Sequence, residues 1–344
     1  MGPKPGESNA NYPDGVKAWT PTRIAVASVV AFALIYIAFG SNGWGSPADN
    51  EQPIGEISRW CERVEDGLLR EPVNALGNLG FVVAGLAMLR VLARDRTAGE
   101  PNQFTGHTPL VLLYASATIF LGPGSAVMHG THTFFGAWID NVSMVAYILI
   151  PWLYNLSRLG RWTQPTLFRT YGALLAVYAA GYWFIAPDLG IGLEFFDISI
   201  GLWIISELLH RYWSPSMRIL SGFFGFVIAF VFGITPAEML AAPGEYWWVV
   251  FFWLPGLLAT NPPDTERRYV PWFWVGVGSF MIAYAIWLTG TNEHAWCRPD
   301  SIIQAHAIWH LLSAVATWGF FRFLRTEQPR VPVEATPAAT PTNR

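Results

Sequence analysis

Charged residues are scarce in this chain, and cysteines are scarcer still. Asp, Glu, Lys and Arg make up only 13% of its 344 residues, whereas about a quarter of an ordinary soluble domain is charged. The two cysteines have no CxxC spacing and are too few for a disulfide framework. No basic patch with interleaved aromatic residues is present, which argues against nucleic-acid binding, and the net charge of −3 indicates no particular partner.

Apolar residues dominate instead, and they are grouped into long segments. Hydrophobic residues make up 52% of the chain, including 18 Trp. The segments are roughly 17 to 24 residues long, which is the length that crosses a hydrocarbon core of about 30 Å. The sequence therefore predicts an all-α fold, a polytopic transmembrane helix bundle. Ten candidate spans are found: 23–40, 72–93, 109–129, 134–156, 166–186, 190–209, 217–235, 244–261, 270–289 and 302–323.

The distribution of basic residues predicts the orientation of these spans. Ten spans put both termini on one side. If that side is the cytoplasm, only Arg59, Arg63, Arg70 and Arg298 lie outside, and the other 17 of the 21 Lys and Arg residues lie inside. This agrees with the positive-inside rule. We expect an integral membrane protein with both termini cytoplasmic, and the low charge without a large soluble domain favours a bacterial inner membrane.

The predicted spans divide the chain into five parts. These are a disordered cytoplasmic leader (1–22), an extra N-terminal transmembrane helix (23–40), an external loop (41–71), a transmembrane core (72–325) and a disordered cytoplasmic tail (326–344). Cys61 and Cys297 both fall in predicted external loops, where disulfides persist. We expect a bridge between them, and two unpaired thiols are the alternative.

Five polar residues fall inside predicted spans at a similar depth near the outer leaflet. Ser125 and His129 are four residues apart, Asp140 lies in the next span, and His306 and His310 are four apart in the last. Ionisable residues in a bilayer are costly and mark functional sites. Three imidazoles with an open fourth position are typical of catalytic zinc. The sequence thus predicts a zinc hydrolase centre with Zn²⁺ as its cofactor.

Each element of this set also has an ordinary explanation when it is taken alone. A HxxxH pair in a helix occurs in core packing or as haem ligands, and an intramembrane Ser often bonds back to its own helix. Asp140 alone could be the structural partner of a neighbouring span. His132, in a loop on the same side, is a candidate substitute ligand or an entrance residue.

The motifs around these residues resemble those of the alkaline ceramidases. That family is part of a superfamily of membrane hydrolases that also includes the progestin/adiponectin receptors. The similar segments are HGTHTFFGAWID at 129–140, HAIWH at 306–310, and WCE at 60–62 with EPVNALGN at 71–78. The resemblance covers roughly 58–325. It implies a seven-helix core, to which this chain adds about three spans.

The resemblance also implies a reaction and a role for each residue. His129, His306 and His310 would hold zinc, Asp140 would take a proton from the attacking water, and Ser125 would help to stabilise the oxyanion. The substrate implied is a ceramide or a related N-acyl lipid that enters laterally from the bilayer. Hydrolysis of its amide bond gives a sphingoid base and a free fatty acid.

Calcium is a second cofactor that the resemblance implies. Its ligands would be the backbone carbonyl of Trp60 with Glu62 and Glu71, and either Glu65 or Asp66 would add a further oxygen. Such hard oxygen ligands suit calcium. The chain departs from the family pattern at Arg59, where an acid is expected. A solvated acidic loop is the alternative.

Two other functions compete with lipid hydrolysis. The first is a receptor or signalling protein on the same zinc-binding scaffold, which long soluble regions would favour. This chain has only short tails. The second is a haem protein for electron transfer, which would leave Ser125 and Asp140 without a role.

Overall fold

The computed structural model describes residues 18–95, 102–185 and 194–330, and these are mostly α-helical. Two strands of two residues each pair antiparallel as the one small sheet in these ranges. In chain order, the first seven elements are α1 (Thr20–Gly40), α2 (Pro72–Gly77), α3 (Leu79–Leu92), α4 (Pro109–Thr131), α5 (Phe134–Leu159), α6 (Gln164–Phe184) and α7 (Phe195–Tyr212). The remainder are α8 (Met217–Leu220), a 3₁₀ turn (Ser221–Phe223), α9 (Phe224–Val231), α10 (Pro236–Ala241), a 3₁₀ helix (Trp247–Trp253), α11 (Leu254–Leu258), β1 (Thr265–Glu266), α12 (Trp272–Trp287), α13 (Ala305–Leu324) and β2 (Gln328–Pro329).

Long apolar helices confirm the predicted transmembrane bundle. Within the described ranges, five helical segments are long and apolar enough to cross a membrane: Thr20–Gly40, Pro72–Leu92, Pro109–Thr131, Phe134–Leu159 and Ala305–Leu324. Only 6% of the first is buried, whereas at least half of each of the others is buried. The core therefore lies among α3, α4, α5 and α13, with α7 and α12 packed outside them.

The segment from 217 to 258 differs from the sequence prediction. Instead of full spans at 217–235 and 244–261, the structure has two shorter helical stretches, Met217–Val231 and Trp247–Leu258. The turn at Gly233 (φ +88°) and the prolines in this region interrupt the helices. The two stretches pack on each other closely, since a Cβ at Gly225 would overlap the Phe252 ring. They form a helical hairpin beside α7.

Glycines bring the helices that carry the predicted site into close contact. A Cβ on Gly77 would lie 2.9 Å from Cα of Ala307, so α2 packs directly on the first turn of α13. A Cβ on Gly124 would lie 2.6 Å from the Ser143 hydroxyl, so α4 packs equally closely on α5. Because α2 also packs on α4, these approaches bring the first turns of α5 and α13 close to the last turns of α4.

The ends of the ordered region differ slightly from the predicted boundaries. Helix α1 begins at Thr20, inside the predicted leader, and order continues past 325 because Glu327 is buried and Gln328–Pro329 pairs with Thr265–Glu266. Most of the predicted leader (1–17) and tail (331–344) lies outside the described residues, so their predicted disorder stays a prediction.

A buried ion network closes the end of the bundle away from the histidines. The Arg267 guanidinium donates to Glu207, Glu327 and Asn155, each over 2.7 Å. Arg158 donates to the second oxygen of Glu327 over 3.1 Å. The network links α5, α7 and both strand segments. Every carboxylate in it faces a guanidinium, so each buried charge has a counter-charge.

Candidate metal centre

Three histidine side chains meet at one end of the bundle, as the sequence predicts. His129 lies in the last turn of α4, and His306 and His310 occupy successive turns at the start of α13. All three are buried. The Nε2 atom of His129 lies 3.1 Å from Nε2 of His306 and 3.3 Å from Nε2 of His310. A metal ion could be held by a group of three or more His, Cys, Asp or Glu side chains. Among the described residues, these three histidines are the one such group.

The spacing of these nitrogens fits a tetrahedral ion. Two imidazole nitrogens bound at 2.0–2.1 Å with a tetrahedral angle between them lie about 3.3 Å apart. Nδ1 of His129 lies 2.5 Å from a carboxylate oxygen of Glu71. That contact makes Nδ1 the protonated nitrogen, so the lone pair of Nε2 points at the other two rings. Nitrogen lone pairs that converge at this distance suit a shared cation.

A series of contacting side chains leads from the cluster into the loop before α2. Glu71 contacts His129 with one oxygen and Nε2 of His132 with the other, over 2.9 Å. Nδ1 of His132 lies 3.8 Å from Glu51, which is paired with Arg59 over 2.8 Å. His132 is thus turned away from the cluster and is not a substitute ligand. No spacing pattern in the sequence indicates this role of Glu51.

Contacts of Arg70 and His132 explain why the loop before α2 lies at the C-terminal end of α4. Arg70 donates from its backbone to the Gly130 carbonyl over 3.1 Å, and its buried guanidinium donates to the carbonyls of Thr131 and Gly45. A cation at the C-terminal end of a helix satisfies free carbonyls there. His132 caps α4 with φ +48°, a left-handed conformation that ends the helix. The loop is therefore fixed directly over His129.

Ser125 and Asp140 lie on the His129 side of the histidine cluster. Only two residues separate α4 from α5, and the tight connection sets the second turn of α5 against the last turns of α4. The Asp140 carboxylate consequently lies next to the Ser125 hydroxyl and near the His129 ring. The Ser125 hydroxyl is buried without a well-aligned hydrogen bond to a described group. All five residues predicted for the zinc centre are thus brought together.

Aromatic rings and a disulfide enclose the cluster. The Trp60 indole stacks on His306 with ring centroids 4.4 Å apart, and Phe81 meets His310 edge-on at 6.2 Å. Next to Trp60, Cys61 is bonded to Cys297, with Cα atoms 5.5 Å apart. The predicted disulfide is confirmed, and it links the first loop to the segment before α13.

The residues predicted to bind calcium have other partners in the structure. The Glu62 carboxylate accepts from the backbone N–H groups of Val73 and Asn74, over 2.7 and 2.8 Å, at the start of α2. Glu71 faces His129 and His132, and Asp66 is exposed in the loop. Among the described residues these carboxylates do not form a group that could hold a metal ion, and calcium binding stays a prediction.

The surroundings of Glu62 and Glu71 shift the pKa values of these two loop carboxyls in opposite directions. Burial raises the pKa of Glu62 to about 7, against the opposing effect of its two backbone donors. Burial also acts to raise the pKa of Glu71, but the adjacent imidazoles of His129 and His132 outweigh it and hold that pKa well below its usual range. Glu71 is therefore an anion beside the histidine cluster.

Fold and site together define an integral membrane protein with a buried three-histidine centre at one end of a helical bundle. A family model described as Ceramidase matches residues 57–328, which is most of the chain. The chain belongs to the ceramidase family, and the resemblance of its motifs is confirmed. A search of curated proteins finds no match. Family membership supports a ceramide-hydrolysing membrane enzyme.

Proposed function

We propose that this protein is a zinc-dependent amidohydrolase that cleaves the amide bond of ceramide or a related N-acyl lipid. The observation that carries the proposal is the convergence of three buried imidazoles beside a serine and an aspartate. The Nε2 atoms of His306 and His310 lie 3.1 and 3.3 Å from Nε2 of His129. A haem centre would not need that serine and aspartate. Membership of the ceramidase family supports ceramide as the substrate class.

The imidazoles of His129, His306 and His310 would hold the zinc ion. Zinc, when bound, lowers the pKa of water towards neutrality and polarises a carbonyl. Glu71 fixes the tautomer and the orientation of His129, because its carboxylate accepts the Nδ1 proton. Trp60 stacks on His306 and excludes water from that side of the site. The residues present thus match a neutral three-nitrogen donor set with a free position.

Asp140 and Ser125 carry the proton transfer and the charge stabilisation in the proposed reaction. Asp140 accepts a proton from water as the oxygen attacks the amide carbon. Ser125, whose hydroxyl lacks a well-aligned partner among described groups, donates to the oxyanion that forms. The C–N bond then breaks, and Asp140 returns the proton to the leaving amine. The products are a sphingoid base and a fatty acid.

Apolar side chains near the site support lateral entry of a lipid. Phe134 and Phe135 at the start of α5 are 41% and 50% exposed, and Ile302 and Ile303 before α13 are 86% and 70% exposed. These residues flank the turns that carry Asp140 and His306. A two-tailed lipid can reach the site past them without leaving the bilayer. We infer from the positive-inside rule that this end of the bundle faces the outer leaflet.

The test uses purified full-length protein, metal analysis and labelled ceramides. We expect one zinc per chain and release of fatty acid. Asp140→Asn should lower kcat about 10²- to 10⁴-fold, and Ser125→Ala about 10²- to 10³-fold, while both variants keep their zinc. Full turnover in both variants would exclude the proposed mechanism. Stoichiometric zinc without turnover of any ceramide would favour the receptor function.

A further inference from the structure

A second polar site lies at the opposite end of the bundle, between the start of α12 and the end of α13. It is a cavity of about 300 Å³. Three arginines line it, together with a hydroxyl and an indole: Arg268, Arg322, Arg325, Thr326 and Trp272. None of these side chains contacts the metal centre. From His306 to Arg322, α13 rises by about 24 Å, so the two sites lie near opposite faces of the membrane core.

Within the part of the chain that the structure describes, two of the three guanidinium groups have no counter-charge. Arg325 is neutralised, because its two terminal nitrogens donate to the two oxygens of Asp95 over 2.7 and 2.8 Å. Arg268 and Arg322 have no carboxylate within salt-bridge distance among the residues of the described ranges. The Arg322 guanidinium instead lies 4.7 Å from the centre of the Trp272 ring. The cavity therefore carries an uncompensated positive charge.

The backbone adds to this positive field. Helix α12 has 16 residues and begins at Trp272, so the positive end of its dipole faces the cavity. Thr326 holds the loop before α12 in place, since its hydroxyl accepts from the Arg268 backbone N–H over 2.9 Å. Guanidinium groups and a helix N-terminus on one cavity together favour an oxyanion, and a phosphate group matches this arrangement.

The surroundings favour a lipid phosphate over a free one. Arg322 lies in the last turn of a helix that spans about 30 Å, and thus at head-group depth. Val270, which lines the cavity, is 73% exposed, and Trp274 on the next turn is 60% exposed. This apolar surface continues from the cavity along α12, where acyl chains would run. We propose that the cavity binds the phosphate head group of an anionic phospholipid.

Lipid titrations of the full-length, delipidated protein followed by native mass spectrometry test this proposal. The probes are phosphatidylglycerol, phosphatidylcholine and inorganic phosphate. The test variant is Arg268→Gln with Arg322→Gln. The matched control is Arg90→Gln, which removes an exposed arginine in the last turn of α3 at the same end of the bundle. A further variant, Arg322→Lys, keeps the charge.

We expect phosphatidylglycerol to bind more tightly than phosphatidylcholine. Each guanidinium near the bilayer surface accounts for about fivefold in affinity, so the double variant should bind phosphatidylglycerol about thirtyfold more weakly. Arg90→Gln should bind as the unmodified protein does, and Arg322→Lys should retain most of the affinity. Zinc content and ceramide turnover should not change in the double variant, because the two sites are separate.

Equal phosphatidylglycerol affinity in the unmodified protein and the double variant would overturn the proposal. Displacement of the lipid by an equal concentration of inorganic phosphate would overturn the assignment to a lipid and identify a free phosphate as the ligand. An equal loss of phosphatidylglycerol affinity in Arg90→Gln would also contradict the proposed site. The affinity would then depend on the total positive charge at this end of the bundle and not on the cavity.

Discussion

The two ends of the bundle place buried ionisable groups in opposite arrangements. At one end, the guanidinium of Arg267 lies between the carboxylates of Glu207 and Glu327, so each charge has its counter-charge. At the other end, the rings of His306 and His310 turn their Nε2 atoms to that of His129 at 3.1–3.3 Å. Glu71 contacts His129 only through Nδ1, and none of the described carboxylates lies among the three converging Nε2 atoms.

This difference separates a structural cluster from a chemical one. The arginine network is complete with the groups that the chain itself provides, which is the condition for a buried ion pair to be tolerated. The histidine cluster brings lone pairs together and becomes favourable when a cation accepts them. Removing a member of each cluster should therefore have different consequences. A substitution in the arginine network should lower the stability of the fold. A substitution in the histidine cluster should lower metal binding and turnover.

The largest effect is expected from His306→Ala. The variant should lose its bound metal and lower ceramide turnover by about a thousandfold or more, since zinc contributes several kcal/mol to transition-state stabilisation. Metal analysis and fatty-acid release measure this. The control is His294→Ala, which removes a loop histidine that is not part of the three-histidine group. A His306→Ala protein with full metal content would show that the cluster is not the metal site.

The second prediction concerns the arginine network. Arg267→Met leaves the carboxylates of Glu207 and Glu327 buried with less compensation, and it should lower the free energy of unfolding by about 3–5 kcal/mol. The matched control, Arg268→Met, changes the exposed neighbour and should have little effect on unfolding. Unfolding in detergent micelles is the measurement. Equal stability of the two variants would mean that the network is not the structural cluster described here.

The third prediction tests the side chains behind His129. Glu71→Gln should weaken zinc binding about 10- to 100-fold, because a carboxylate that orients a histidine ligand also raises its basicity. His132→Gly, which tolerates the positive φ at this position, should have a smaller effect in the same direction. Zinc affinity is measured by competition with a chelator. Unchanged affinity in both variants would limit Glu71 and His132 to a structural role.

Much of the site could be predicted from the sequence because its residues lie in regular helices. Ser125 with His129, and His306 with His310, share a helix face through the four-residue spacing. Span length and basic-residue bias put them at one depth, and the same topology placed Cys61 and Cys297 on one side, where the structure bonds them. These predictions depend on helical periodicity and on span length, and both can be read from a single sequence.

Contacts that depend on loops could not be predicted in this way. Glu51 and Glu71 lie in a segment without periodicity, so their contacts with His132 required the three-dimensional path of the loop. The same limit applies to the helical hairpin at 217–258, where overall hydropathy indicates two spans but local glycines and prolines shorten the helices. Hydropathy averages over a window and does not register such breaks.

The smallest effect is expected at Glu62, and it connects the loop to the calcium prediction. Burial raises its pKa to about 7, so between its unfolded value near 4.3 and pH 7 the folded protein binds the additional proton. Stability should consequently fall as the pH rises through this window. Glu62→Gln should remove that part of the slope in unfolding midpoints measured across it. Because a bound cation would favour the ionised carboxylate, added calcium should flatten the slope of the unmodified protein if Glu62 is a ligand. A slope that calcium does not change would assign Glu62 to capping α2 instead.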